Sequence, residues 1–321
     1  MKAKTICLLV AFLVGLTSVG YAQVKDYPKK PIQIIVGHPP GGGIDTFYRL
    51  LAEQVSKTWN VPVNLVNKPA ASGAIAGSEV ANGEKDGYTL FAILINQLAS
   101  LSVGNPKSPV HMLRDFDPIE VHTYAAQVML VKADSKFKSF DDLVDYSTKK
   151  PGEVLCAVPQ VGSSMHLVAL LLNRHAKLNM TLVHLDGPRE IATGILGGHF
   201  DIGFLNDVIA KPHVTAGKLK AIVSDIKSYL GVPTFAEKGY PQIDLPTVMG
   251  LLGPKGLPPA IIKTWEDTLK MVLQEPTFMA SMNKLSYNIN MVTGADNLSK
   301  RLKEEMDKCA RFTPEELGWK K

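Results

Sequence analysis

Residues 32–45 read IQIIVGHPPGGGID, from Ile32 to Asp45, and this stretch decides the fold class. Ile32–Val36 is an apolar, β-branched run of the kind that fills a buried strand. Thr46–Trp59 follows, with Phe47, Leu50, Leu51 and Val55 spaced along one helix face. Between strand and helix stand Pro39 and Pro40, which stiffen the chain, and Gly41, Gly42 and Gly43, which have no side chains. Backbone N–H groups of such a loop can approach a ligand closely. Asp45 is expected at the helix start, as an N-cap. In open α/β sheets ligands bind beyond the carboxyl ends of strands, and helix N-termini favour anions. The loop therefore suggests capture of a small anion such as a carboxylate. It fits neither GxGxxG nor GxxxxGK[ST], so a nucleotide loop is not indicated. A tight turn without a ligand is the competing reading.

Further strands are predicted at Val61–Val66, Thr89–Ile95, Gln127–Lys132, Val154–Val158, Thr181–Leu185, Ile202–Leu205 and Leu219–Ser224. Helical patterns cover Asp141–Ser147, His166–Arg174 and Arg189–Leu196, and later Ile261–Gln274 and Ala295–Arg311. Leu298, Leu302, Met306 and Cys309 line the last of these. Strands alternating with helices argue a parallel α/β sheet. They fall into two sets, Ile32 to about Thr123 and about Ala125 to Ser224, followed by a helical tail. Two more loops resemble the first. Asn67–Gly77 (NKPAASGAIAG) offers Ser72 and Gly73, and Pro159–His166 (PQVGSSMH) offers Gly162, Ser163 and Ser164 before a helix. Plain helix capping would explain each loop singly. Three after three strands favour a shared cleft.

The chain has 321 residues, a net charge of +5, 45% apolar and 20% charged residues, which excludes a disordered chain. One core seldom fills that length, so two domains are expected. Residues 1–22 carry Lys2 and Lys4, an apolar stretch Ile6–Val14, and small residues Gly20 and Ala22. These features predict a secretory signal peptide cut before Gln23. Its removal leaves 299 residues and takes the net charge to +3, with no Lys/Arg block that would mark nucleic-acid binding. The product is expected to be soluble and exported. Cys156 and Cys309 remain in it and read as buried thiols rather than a disulfide.

Catalytic readings find little support. Ser163 or Ser164 with His166 and Asp186 could be imagined as a triad, but no GxSxG elbow exists. Cys156 falls mid-strand, where a thiol is inert. The histidines lack HxxxH or CxxC spacing, so no metal site is predicted. No enzyme activity and no cofactor are expected.

Seven motifs occur in order: residues 27–45 (YPKKPIQIIVGHPPGGGID), 66–77 (VNKPAASGAIAG), 85–93 (KDGYTLFAI), 115–119 (DFDPI), 137–167 (FKSFDDLVDYSTKKPGEVLCAVPQVGSSMHL), 197–204 (GGHFDIGF) and 232–241 (VPTFAEKGYP). Each is weak alone. The ordered set strongly resembles the exported solute receptors of tripartite tricarboxylate transporters, the Bug-type binding proteins. The resemblance implies an α/β, two-lobed periplasmic binding protein (type II-like) with two crossover strands and a cleft between lobes. Domain 1 would comprise residues 23–124 and 225–321, and domain 2 residues 125–224. The implied ligand is a small carboxylate: a di- or tricarboxylate, an aromatic acid or an amino acid. The implied partners are membrane subunits of a transporter, with the receptor monomeric. The alternative is a receptor that presents its ligand to a membrane sensor kinase. The family's ligand loops map onto Gly41, Gly42, Gly43 and Asp45, onto Ser72 and Gly73, and onto Gly162, Ser163, Ser164 and His166. The chain departs from the family at His38, where an aromatic is frequent, and at Ile44, where Thr is. It has Asp186 in place of a lysine and lacks a Trp near Met249. Asp186 either pairs with a cationic group of the ligand or is a solvated turn residue.

Overall fold

The computed structural model describes residues 27–285, 287, 290–292, 294–317 and 319. The predicted signal peptide lies outside the described residues. The deciding stretch folds as strand, glycine loop and helix, but the helix begins at Gly43 rather than after Asp45. β1 (Ile32–Val36) leads through the glycine loop into α1 (Gly43–Trp59). α1 buries Ile44, Phe47, Tyr48, Leu51, Ala52 and Val55, one stripe at helical spacing, and stops at Asn60 in the left-handed region. β2 (Val63–Asn67), α2 (Ala74–Ala81) and β3 (Thr89–Leu94) complete the first α/β units. The chain turns directly from β3 into α3 (Ile95–Gly104), then passes a short helix, α4 (Met112–Asp115), into β4 (Phe116–Ala125).

After one intervening residue β4 gives way to β5 (Gln127–Lys132), which belongs to another sheet. α5 (Phe140–Lys149), β6 (Leu155–Val158), α6 (Ser164–His175), β7 (Thr181–His184), α7 (Pro188–Leu196), β8 (Ile202–Asn206), α8 (Asp207–Thr215) and β9 (Leu219–Ser224) follow. The chain then returns to the first sheet as β10 (Thr247–Pro254). α9 (Pro259–Val272), α10 (Pro276–Lys284), β11 (Asn290–Val292) and α11 (Ala295–Cys309) end it.

The first sheet has the order β11-β4-β10-β3-β1-β2 and the second β7-β6-β8-β5-β9. The first draws on residues 32–125 and 247–292, the second on residues 127–224. The expectation of a parallel α/β sheet holds for part of each sheet. β1 is parallel to β2 and β3, and β6 to β7 and β8, but β10 runs antiparallel to β3 and β4. β5 likewise runs antiparallel to β8 and β9. Two of the reversed strands carry the chain between the sheets: β5 enters the second and β10 returns to the first, whereas β4, which leaves the first, runs the same way as β1 and β3.

The C-terminal helices pack on the first sheet. Trp265 of α9 is fully buried and meets Trp59 of α1 edge to face at 4.6 Å. The predicted stripe of α11 holds at Leu298, Leu302 and Cys309, with Glu305 also buried on that face. Its carboxylate accepts from Asn96 Nδ2 at 2.5 Å and pairs with Arg301 and Lys308, as a buried charge must. Cys156 and Cys309 are both buried free thiols, and burial pushes the Cys309 thiol up to about 12. Among the described residues no helix is long and apolar enough to cross a membrane.

Candidate functional site: a cavity between the two sheets

The carboxyl ends of five parallel strands converge on one cavity of about 870 Å³. His38–Ile44 reach it after β1, and Leu94 and Gln97 at the end of β3. Pro159, Gln160 and Ser163–Met165 contribute after β6, Asp186–Glu190, Ala192 and Thr193 after β7, and Asn206, Val208 and Ile209 at and after the end of β8. Strand ends of both sheets thus face one cavity, the place where ligands of open α/β sheets are expected.

Six of the eleven residues singled out from sequence line this cavity: Gly41, Gly42, Gly43, Ser163, Ser164 and Asp186. Five do not. Ser72 and Gly73 follow β2, which is the edge strand of its sheet. Gly73 instead packs on the β1 turn, where an added Cβ would lie 3.3 Å from Gly37 O and 2.7 Å from Ile93 Cδ1. Gly162 packs against α3, where an added Cβ would meet Ser100 Oγ at 2.5 Å. His166 is buried and takes the Gly162 N–H on Nδ1 at 3.1 Å.

Asp45 is not the helix cap. Gly42 is, with extended backbone, and Asp45 sits one turn in, its side chain 3% exposed. Its carboxylate accepts the Gly41 N–H at 2.8 Å, Asn67 Nδ2 at 2.8 Å and the Arg49 guanidinium at 2.9 and 3.0 Å. Burial opposes its charge, but these bonds outweigh burial and hold the carboxyl below its usual range. Asp45 thus fixes the shape of the glycine loop instead of facing the cavity. Asp45→Ala is expected to lower stability by about 1–3 kcal/mol, because Arg49 and the Gly41 N–H lose their acceptor. Urea denaturation checks this, and ligand affinity should fall with it.

The Gly42 carbonyl accepts the N–H of Thr46, so the N–H groups of Gly43, Ile44 and Asp45 stand outside the helical ladder. On the opposite wall Ser163 caps α6, its Oγ accepting the His166 N–H at 3.3 Å. Each wall therefore presents a helix start with uncommitted N–H groups.

Neutral side chains join the walls. His38 Nε2 lies 2.7 Å from Gln97 Oε1, and Gln97 Nε2 donates to Gln160 Oε1 at 3.3 Å. Asn206 Nδ2 donates to Thr247 Oγ1 at 2.8 Å. Burial lowers His38 to about 4 and His166 to about 3, so both imidazoles are neutral at pH 7. No Ser–His–Asp relay forms: the serine and histidine are joined only through the capping bond, and the Asp186 N–H donates to Glu190. Among the described residues no group of three or more His, Cys, Asp or Glu is placed to hold a metal ion.

Several lining residues escaped the sequence reading. Gln97, Asn206 and Arg189 each follow a strand end, and that position was the available signal. Tyr287 carried no signal, since it arrives from the C-terminal segment, where its hydroxyl donates to Gly43 O at 2.9 Å.

The sequence profile described as "Tripartite tricarboxylate transporter family receptor" matches residues 47–316. The chain belongs to this receptor family. It is 32% identical over 259 residues to Protein BugT of Bordetella pertussis, covering 78% of this chain and 79% of that one. A solved structure described as a periplasmic transporter superposes with a TM-score of 0.80 at 28% identity, over 88% of this chain and 96% of the other. MatC of Rhodopseudomonas palustris with bound malate superposes with a TM-score of 0.79 at 24% identity, over 89% and 99%. The tripartite tricarboxylate transporter receptors are two-lobed periplasmic binding proteins, and the two sheets of this chain match that architecture.

Proposed function

We propose that this receptor closes two lobes over a small carboxylate in the periplasm and delivers it to the membrane subunits of a transporter. The observation that carries the reading is the cavity itself, where the glycine loop after β1 faces the serine loop after β6. Each wall offers backbone N–H groups at a helix start, a donor set suited to a carboxylate. The malate held by MatC, which shares the fold, supports the class of ligand. The lobes on this reading are residues 23–124 with 225–321, and residues 125–224. Closure is a hinge movement about the β4–β5 junction and the segment between β9 and β10. Gly41, Gly42, Gly43, Ser163 and Ser164 contact the ligand, and the protein performs no catalysis.

Gly42→Trp tests this. Gly42 has φ −77° and ψ 171°, and an added Cβ would meet nothing closer than Pro39 O at 3.6 Å. Tryptophan is therefore compatible with the backbone while it fills the cavity. A panel of carboxylates is screened by thermal shift on ligand-free protein. One class of acid should stabilise the wild type, and the variant should bind it at least tenfold more weakly with an unchanged melting point when empty. A wild type that responds to no carboxylate overturns the reading.

A further inference from the structure

The chain has six arginines, and five of them hold an acceptor. Arg49 pairs with Asp45, Arg114 with Asp115, Arg174 with Glu316 and Arg301 with Glu305, while Arg311 donates to backbone carbonyls. Arg189 is the exception. Among the described residues its guanidinium has no hydrogen bond or ion pair, although Asp186 and Glu190 flank it. Among those residues it is also the one arginine or lysine on the wall of the cavity. It stands in the first turn of α7, where the helix dipole adds to its positive potential.

The nearest acids do not neutralise it. The Glu190 carboxylate is turned back to accept the Asp186 N–H at 3.0 Å, a capping arrangement. Among the described residues Asp186 lines the cavity without a side-chain partner and tempers the local potential. The wall of the same cavity is largely apolar, with Ile44, Leu94, Met165, Val208, Met249 and Leu285. A planar guanidinium offers the paired N–H geometry that a carboxylate takes bidentately.

We infer that Arg189 is the specificity-determining residue of this cavity. It selects acids that carry a second anionic group, separated from the first by an apolar body. The inference rests on the receptor reading above: the first carboxylate sits at the glycine loop, the apolar body crosses the apolar wall, and the second carboxylate reaches Arg189. The local charge also orders two substitutions. Loss of Arg189 removes the partner of the second carboxylate, and loss of Asp186 removes its repulsion.

The test compares matched acids by calorimetry on ligand-free protein: succinate, adipate, suberate and terephthalate against butyrate, hexanoate, octanoate and p-toluate. For at least one pair the wild type should prefer the diacid by tenfold or more. Arg189→Gln should bring that ratio close to one, and Asp186→Asn should raise it. Melting of each empty variant confirms that the fold is kept. If monoacids bind and no diacid binds better, the receptor reading stands and this inference falls. An unchanged ratio in Arg189→Gln, or equal loss of both acids, also overturns it. If no acid binds the wild type, both fall.

Discussion

Asp225→Asn protein is expected to be more stable than the wild type at pH 8 and to lose much of its dependence on pH between about 4 and 7. Asp225 stands directly after β9, where the chain leaves the second sheet, and it is 4% exposed. One oxygen accepts the N–H groups of Gln127 and Ile226 at 2.8 and 2.7 Å; the other has no partner among the described residues. Burial raises its pKa to about 7, the two backbone bonds oppose the rise, and the negative charges of Asp244 and Asp207 add to it. Asp207, which Ser228 partly satisfies, is raised to about 6, again chiefly by burial.

The sign follows from proton uptake. Between the unfolded pKa near 4 and the folded value near 7, the native state holds more protons than the unfolded chain. Stability is therefore greatest at acid pH in this window and falls as pH rises through it. Each tenfold change in proton affinity is worth roughly 1.4 kcal/mol, so Asp225 alone contributes at most about 4 kcal/mol. Asparagine retains the oxygen that accepts both N–H groups and removes the charge. Urea denaturation at pH 5 and pH 8 on both proteins reads the effect as a difference of differences. Equal pH dependence in the two proteins would sink this account.

Trp265→Ala is expected to cost about 3–5 kcal/mol, the range for emptying a fully buried aromatic site. The indole is sealed in the core of the first sheet, its Nε1 donating to Tyr27 Oη at 2.7 Å. Tyr27 in turn donates to Gly87 O at 2.6 Å, and Trp59, against the indole face, donates to Thr268 Oγ1 at 2.9 Å. The substitution therefore opens a cavity and removes one donor from a polar chain that ties the N-terminal segment to α9. Trp265→Phe should cost less than half as much, since it keeps most of the packing. A loss below about 1 kcal/mol for the alanine variant would contradict the packing described.

Most strands were legible because they are buried on both faces, so apolar run and strand coincide from Ile32–Val36 to Leu219–Ser224. β4 was not. It reads FDPIEVHTYA, and its polar residues hide a buried strand. Glu120 and His122 are each 1% exposed because they satisfy each other at 2.7 Å, and Glu120 also accepts the Tyr48 hydroxyl at 2.5 Å. No local pattern announces a partner 72 residues away. Pro118 is accommodated at an irregularity where the register with β10 shifts. The site was half legible for a related reason. Loops that line the cavity by position, such as Gly41–Gly43 and Ser163–Ser164, follow strands and can be found by order along the chain. Ser72 was drawn in by the same logic, because the sequence does not say that β2 lies at the sheet edge.

The bridges that span the cavity have a consequence for the compartment in which the family works. Gln97 with Gln160, and Asn206 with Thr247, are amide and hydroxyl contacts, and the adjoining His38 titrates near 4. None of these groups changes charge between pH 5 and 8, and none is screened by dissolved ions. These contacts should thus hold in acidic or brackish surroundings, so the response to the medium falls to the charged groups of the wall, Arg189 and Asp186, and to the solute's own charge.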